Sequence, residues 1–392
     1  MYPKLILKPG KEKSLLNFHP WVFSGAIASA TDEIKEGEVV EIFSSDNKYL
    51  ATAHFHNGSI AGRIISFEQR EINRDFWKEK ISKAFSMRRH LGFISNKDTN
   101  AFRLVNAEGD GMPGLIIDVY DRTAVMQAHT ISMHSNAEVF AELIAELFGP
   151  DFSVYDKSAE VLNRKNETTI ENKYLLGEKR NQIITENGFK FLVDWEQGQK
   201  TGFFLDQRDN RKLVQHFSAG KKVLNAFAYS GGFSVYALQD GASVVHSVDS
   251  SRTAADWAEK NIQLNFSEES RHKFFTEDVF DFLKKTEEHY EVIILDPPAF
   301  AKHQSAVKNA AIAYRNMNAE AMKRIAPSGI LFTFSCSQHI DKILFQKIIF
   351  SAAAMSKRNV RVLHQLHQPP DHAFSIYHPE GEYLKGLVLA VE

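Results

Sequence analysis

The sequence predicts an α/β protein in three parts, the last of them an open, Rossmann-like sheet covered by helices. Three observations carry this. From Lys222 to the C-terminus, apolar strand segments alternate with amphipathic helical ones, the pattern of a parallel sheet buried on both faces. Residues 1–72 are instead rich in short strands set apart by Ser-Asp-Asn and Asn-Gly turns. Between these two stretches, residues 73–186 mix strands and helices in the manner of an α+β domain.

Composition narrows the classes. Hydrophobic residues make up 43% and charged residues 24%, ordinary for a globular chain. No apolar run approaches the ~18 residues of a membrane span, and Met1-Tyr-Pro-Lys-Leu-Ile-Leu-Lys-Pro is too short in its apolar part for a signal peptide. A cytoplasmic location is expected. The single cysteine, Cys336, excludes an internal disulfide and a multi-cysteine zinc site, and no metal is expected. A net charge of −2 means that any nucleic-acid-binding surface must be local.

Taken in order, Leu5–Lys8, Gly37–Phe43, Tyr49–Phe55 and Ile60–Phe67 read as strands. Phe18-His-Pro-Trp-Val-Phe-Ser-Gly25 lies between the first two, with Lys8, Lys11 and Lys13 just upstream. Lysines beside aromatic rings can contact phosphates and stack on bases, which makes Lys8, Lys11, Lys13, His19 and Trp21 candidates for RNA contact. The alternative is a turn whose Trp21 and Phe23 fill a small core. A helix follows from Arg74 to about Gly92, with Phe76, Ile81, Phe85 and Met87 interleaved with basic residues. Its Arg88 and Arg89 suit either a phosphate contact or a solvated face. Next, two strands flank the loop of Gly109, Asp110, Gly111, Pro113 and Gly114. A strand over Val125–Ala128, a helix over Ser135–Phe148 and a strand at Val154-Tyr155 complete the middle part. The polar stretch 156–182 predicts an exposed hairpin.

The third part carries the chemistry. Lys222-Val-Leu-Asn-Ala-Phe-Ala-Tyr-Ser-Gly-Gly232 reads as a strand, a tight glycine loop and a helix N-terminus, a cradle for a nucleotide-like ligand. The next strand ends in Asp249, 18 positions after Gly231 (249 − 231), close to the roughly 20 expected of a ribose-binding acid. Ala226 and Ala228 stand where a dinucleotide fingerprint needs glycines, which disfavours a nicotinamide oxidoreductase. The loop looks like that of an S-adenosylmethionine (SAM) methyltransferase, a plain β–α turn being the alternative. On this reading Asn225, Phe227, Tyr229, Ser230, Gly231, Gly232, Asp249 and Ser250 are cofactor candidates. Asp278, beside Val279 after the third strand, can accept from an adenine amino group. Asp206, Gln207 and Arg208, in the run Gly198–Arg211, can hold the amino-acid end of SAM or serve as an ordinary polar helix cap.

Strands are read at 222–227, 243–249, 272–276, 291–295, 329–335, 360–366 and 383–391, with helices such as 252–264 and 309–325 between most of them. No helix is visible between the last two strands, so the final one should run antiparallel. The fourth strand ends in Asp296-Pro-Pro-Ala-Phe300, a rigid turn that offers Asp296 to a planar base, the chemistry of amino-group methylation. The fifth ends in Phe334-Ser-Cys-Ser337. Carbon 5 of cytosine is not nucleophilic until something adds to carbon 6, and a thiolate suits that addition. A lone cysteine is more often a small buried hydrophobe, but its place at a strand end favours the nucleophile.

The words His-Pro-Trp-Val-Phe-Ser-Gly, Asn-Ala-Glu-Gly-Asp-Gly-Met-Pro-Gly, Gly-Gln-Lys-Thr-Gly-Phe-Phe-Leu-Asp-Gln-Arg and Asn-x-Phe-x-Tyr-Ser-Gly-Gly recur in a known family. So do Val-Asp-Ser-Ser, Asp-Pro-Pro-x-Phe, Phe-Ser-Cys-Ser and Pro-Glu-Gly-Glu-Tyr-Leu-Lys-Gly. Over its whole length the chain resembles the RlmI family of SAM-dependent 23S rRNA 5-methylcytosine methyltransferases. The resemblance implies a PUA-like RNA-binding pseudo-barrel over 1–72, a middle domain over 73–186 and a seven-stranded class I methyltransferase domain over 187–392. It also implies SAM as cofactor, 23S rRNA or a ribosomal assembly intermediate as partner, and a homodimer. Carried over, Cys336 is the nucleophile, and Asp296 protonates or hydrogen-bonds the ring nitrogen. Other RNA cytosine-C5 methyltransferases hold a second cysteine where Pro298-Ala299 stands here, so the group that removes the carbon-5 proton is not identified. The alternatives are an amino-group methyltransferase acting on guanine N2 or adenine N6, with Cys336 a bystander, and a non-catalytic RNA-binding assembly factor.

Overall fold

The alternation of apolar strands and amphipathic helices after Lys222 is realised as a seven-stranded sheet in the computed structural model, which describes residues 2–31, 33–164 and 169–392. Its strands, in chain order, are Lys222–Ala226, Val244–Asp249, His272–Thr276, Tyr290–Leu295, Ile325–Ser335, Val360–Leu366 and Lys385–Val391. Numbered first to seventh, they lie in the order 3-2-1-4-5-7-6. The first five pair in parallel, and the seventh runs antiparallel to both the fifth and the sixth. That reversal follows from the connection. Between the sixth and seventh strands the chain makes only short 3-10 turns, so it returns without a helical crossover.

Helices over Gly232–Gln239, Arg252–Asn265, Val279–Lys285, Val307–Arg324 and Lys342–Ser356 connect the strands. Three of them start on side-chain caps, with Ser251, Asp278 and Asp341 accepting from Ala254, Asp281 and Leu344 N–H groups. One apolar core joins Leu224, Ile293, Leu331 and Leu389 of the sheet to Tyr314, Met317 and Phe345 of the helices. This compact unit is assembled from Glu186–Leu192, Asp206–Pro369 and Glu382–Glu392.

The other unit comprises Met1–Thr185, Val193–Leu205 and Pro370–Gly381. It holds a six-stranded sheet in the order Trp21–Phe23, Ile60–Ser66, Tyr49–Phe55, Val39–Phe43, Lys4–Leu7, Ile27–Ala30. Its core gathers Leu5, Leu7, Val22, Val40, Ile42 and Ile64. A second, five-stranded sheet runs Lys173–Leu176, Ser153–Asp156, Thr123–Ala128, Leu115–Tyr120, Ala101–Asn106, under the helices Arg74–His90 and Ala137–Phe148.

One expectation changes here. The stretch 156–182 is more than an exposed hairpin: Lys173–Leu176 adds an antiparallel strand beside Ser153–Asp156, because Leu175 and Leu176 pack on the core. Residues 165–168 of that stretch lie outside the described residues. The chain also returns to this unit late, at Pro370–Gly381. There the fully buried Asp371 accepts the Arg103 N–H at 2.9 Å, and its carbonyl accepts from Arg88 at 2.7 Å. Gly109 is required by this return, since a Cβ there would sit 2.0 Å from the Ala373 carbonyl oxygen. Among the described residues no helix is long and apolar enough to cross a membrane.

Candidate active site

Register gathers the candidate residues. Ala226 of the first strand pairs with Val248 of the second and with Leu295 of the fourth; Leu295 in turn pairs with Thr333 of the fifth, and Asp249 with Thr276 of the third. The carboxyl ends of five strands therefore form one edge, where an open α/β sheet receives its ligands. Asp249 stands at one of these ends, and the 227–232 loop, Ser250, Asp278, Asp296 and Cys336 follow them.

The 227–232 loop is held in an unusual backbone conformation. Phe227 and Tyr229 take φ of 60° and 45°, and Gly231 takes 74°. Left-handed non-glycine residues cost energy and persist only where the surroundings fix them. Here the Ala228 N–H donates to Val248 O at 3.0 Å, the Tyr229 N–H to Asp249 Oδ2 at 3.1 Å, and Asn261 Nδ2 to Ser230 O at 2.8 Å. A side chain at Gly231 would meet Ala258 Cβ at 2.9 Å. The next helix begins at Gly232, so its first N–H groups open at this edge. A tight turn, a helix N-terminus and a neighbouring carboxylate fit the nucleoside and charged end of SAM.

Asn225 and Val279 stand behind this surface. Asn225 is fully buried and starts a chain of hydrogen bonds through Ser234 and Ser247 to His272, at 2.9, 2.7 and 2.8 Å. Burial pulls His272 down to about 4, so the imidazole is neutral in that chain. Val279 is buried at the start of its helix, and Asp278 uses one oxygen to cap it. Ser250 is exposed.

Upstream, Asp206, Gln207 and Arg208 are all buried. Asp206 Oδ2 accepts from the Tyr383 hydroxyl at 2.8 Å, and Gln207 Oε1 from Asn210 at 2.6 Å. The sequence reading did not find what lies beneath them. Glu186, fully buried, receives Arg211 in a bidentate pair at 2.8 and 2.7 Å and the Tyr236 hydroxyl at 3.0 Å. Only the dense charge of the 206–211 run hinted at a partner, and the partner stands outside it in sequence.

At the fifth strand's end, Ser335 and Ser337 turn inward and are buried, while Cys336 is half-buried. Tyr314 hydroxyl bonds to both serine hydroxyls at 3.1 Å, and Ser337 Oγ accepts the Ala301 N–H at 3.2 Å. Burial pushes the Tyr314 phenol above its ordinary value, while the serine hydrogen bonds oppose this. The Cys336 sulfur lies 3.9 Å from the Pro297 carbonyl oxygen, so thiol and Asp-Pro-Pro turn share one corner. Among the described residues no group of three His, Cys, Asp or Glu is placed to hold a metal.

The RNA candidates, in the other unit, divide. Lys11, Lys13 and Arg89 are exposed, and Lys8, also exposed, donates to Gly25 O at 3.0 Å. His19 and Trp21 are half-buried: Trp21 Nε1 donates to Glu108 at 2.8 Å, and its ring lies 4.4 Å from that of His378. Arg88 must be corrected. It is 1% exposed and its guanidinium is engaged by Asp110, by Arg103 O and by Asp371 O, so no donor faces solvent.

Comparison with known proteins bears on this geometry. The family described as S-adenosylmethionine-dependent methyltransferase matches residues 147–383, and the PUA-like domain family matches residues 5–67. Ribosomal RNA large subunit methyltransferase I of Aeromonas salmonicida is 38% identical over 392 residues, 98% of each chain. The protein of the same name from Vibrio campbellii is 38% identical over 399 residues, 100% of each chain. A solved chain from Streptococcus mutans, assigned to the SAM-dependent methyltransferases, superposes with a TM-score of 0.86 at 24% identity, over 99% of this chain and 100% of that one. That likeness is one of fold. With a SAM-type cradle at the strand ends and full-length identity to these relatives, the chain belongs to the SAM-dependent methyltransferases, in the ribosomal RNA large subunit methyltransferase I family.

Proposed function

We propose that the protein methylates carbon 5 of a cytosine in large-subunit rRNA through a covalent adduct with Cys336. The observation that carries this reading is the placement of the sole thiol, half-buried at the fifth strand's end and 3.9 Å from the Asp-Pro-Pro turn. SAM supplies an electrophilic methyl group. Cys336 Sγ adds to carbon 6 while Asp296 hydrogen-bonds or protonates the ring nitrogen, and carbon 5 becomes the nucleophile that takes the methyl group. Loss of the carbon-5 proton and departure of the thiolate restore the aromatic ring. Asp249 holds the ribose hydroxyls and Asp278 the adenine amino group, with Asp206, Gln207 and Arg208 towards the amino-acid end. Lys8, Lys11, Lys13 and Arg89, with His19 and Trp21, serve the RNA from the PUA-like part. The setting is the cytoplasm, and the assembly a homodimer.

The decisive experiment uses rRNA carrying 5-fluorocytosine at the target. Fluorine cannot leave as a proton does, so wild-type protein forms a denaturation-resistant adduct and Cys336→Ala forms none. Cys336→Ala also loses turnover while retaining SAM affinity, because the covalent bond exists only along the reaction path. Near-normal turnover of Cys336→Ala would favour amino-group transfer at the Asp-Pro-Pro turn.

A further inference from the structure

The word Pro379-Glu-Gly-Glu-Tyr-Leu-Lys-Gly386 has so far served only as a mark of family. In the fold, its Lys385 opens the seventh strand and pairs with Ser335 across the antiparallel ladder, one residue from Cys336. Lys385 is 3% exposed. Its Nζ donates to the carbonyls of Ser337 at 2.8 Å and Tyr383 at 2.7 Å. One of those acceptors is the residue directly after the cysteine. An ammonium has three N–H donors, and two are used in this way.

A buried cation needs a counter-charge or gives up its proton. The carboxylates nearby are otherwise engaged: Asp341 Oδ1 caps its helix through Leu344 N–H at 2.7 Å, and Glu382 pairs with Lys342. Among the described residues no carboxylate forms an ion pair with Lys385. Burial pulls its ammonium down to about 8, against the charges of Cys336, Glu382 and Asp341, which push it up. Around the thiol, Tyr314 is a buried phenol whose hydroxyl bonds to both flanking serines, and Asp296 follows the neighbouring strand end. Of these groups only Lys385 is cationic.

We propose that Lys385 is a positioning residue, whose buried ε-ammonium is the counter-charge that holds Cys336 as a thiolate. The inference rests on the reading of Cys336 as nucleophile and deepens it. The thiol proton leaves to solvent before RNA binds. Sulfur then adds to carbon 6 as an anion, and the ammonium keeps its proton throughout. When the adduct collapses, the thiolate returns to the same cation.

Because the chain has one cysteine, alkylation of the folded, full-length protein by iodoacetamide reports that thiol alone. The rate is followed by mass spectrometry from about pH 5 to 10. Wild-type protein should show a midpoint clearly below the ordinary cysteine value of about 8.5. Lys385→Gln should raise it by about one unit or more and slow alkylation about tenfold at a fixed pH below the midpoint. Lys385→Arg should restore most of the wild-type profile, which loss of packing alone would not predict. A wild-type midpoint near 8.5 overturns the proposal whether or not a variant folds, and so does an unmoved midpoint in folded Lys385→Gln. Failure of the adduct reading is seen separately, as near-normal turnover of Cys336→Ala.

Discussion

Asp249 accepts the Tyr229 backbone N–H at 3.1 Å through one carboxylate oxygen and the Ser251 N–H at 3.0 Å through the other. The acid proposed to bind the ribose thus also anchors the strained loop beside it. Asp249→Ala should weaken SAM by about 1–3 kcal/mol, the cost of losing a hydrogen bond to a charged acceptor. Titration calorimetry giving unchanged affinity would remove the ribose assignment.

Lys11, Lys13 and Arg89 are exposed, whereas Arg88 is buried on Asp110. Alanine at each exposed position should weaken RNA binding and lower the salt slope by about one, with urea unfolding unchanged. Arg88→Ala should instead destabilise the protein by about 3–5 kcal/mol, since it removes a buried guanidinium and strands the largely covered Asp110 carboxylate. Filter binding across a salt series, beside unfolding curves, separates the two roles. Equal salt slopes for wild type and Lys11→Ala would remove Lys11 from the RNA face.

Glu186 is the acceptor on which Arg211 closes, and a Cβ at Gly232 would lie 3.0 Å from the Arg211 side-chain stem. Glu186→Gln should cost about 3–5 kcal/mol of stability, because the buried guanidinium keeps its charge without a counter-ion. It should also weaken SAM, since the arginine stem lies against the glycine that starts the cofactor-loop helix. Wild-type stability of Glu186→Gln in urea would show that the pair is dispensable.

Much of this was legible in the chain. The third and sixth strands fall where periodicity puts them, at 272–276 and 360–366, and the antiparallel seventh follows from the missing crossover helix. The places of Asp249, which ends the second strand, and Cys336, which follows the fifth, were readable because a strand end has a defined position on a sheet edge. Arg88 was not: its neighbours Arg89 and His90 are exposed, and basic helical residues look alike until a partner is known. Its partners Asp110 and Asp371 lie 22 and 283 positions away. Lys385 escaped for the same reason, since its partner Ser335 comes from a strand brought alongside only by the fold. Local pattern names the elements; distant pairing decides which charges are buried.

The return of Pro370–Gly381 to the first unit has a bearing on synthesis. Arg88 and Arg103 are made early, yet Asp371, which receives both, follows them by 283 and 268 positions. Until then Arg88, on the helix over the five-stranded sheet, and the Arg103 backbone N–H each lack one acceptor. The first unit therefore cannot reach its final form until residues 370–381 have been made, by which point most of the methyltransferase unit has been made as well. A nascent chain stalled before residue 370 would carry neither the last strand of the methyltransferase sheet nor the acceptor that completes its companion.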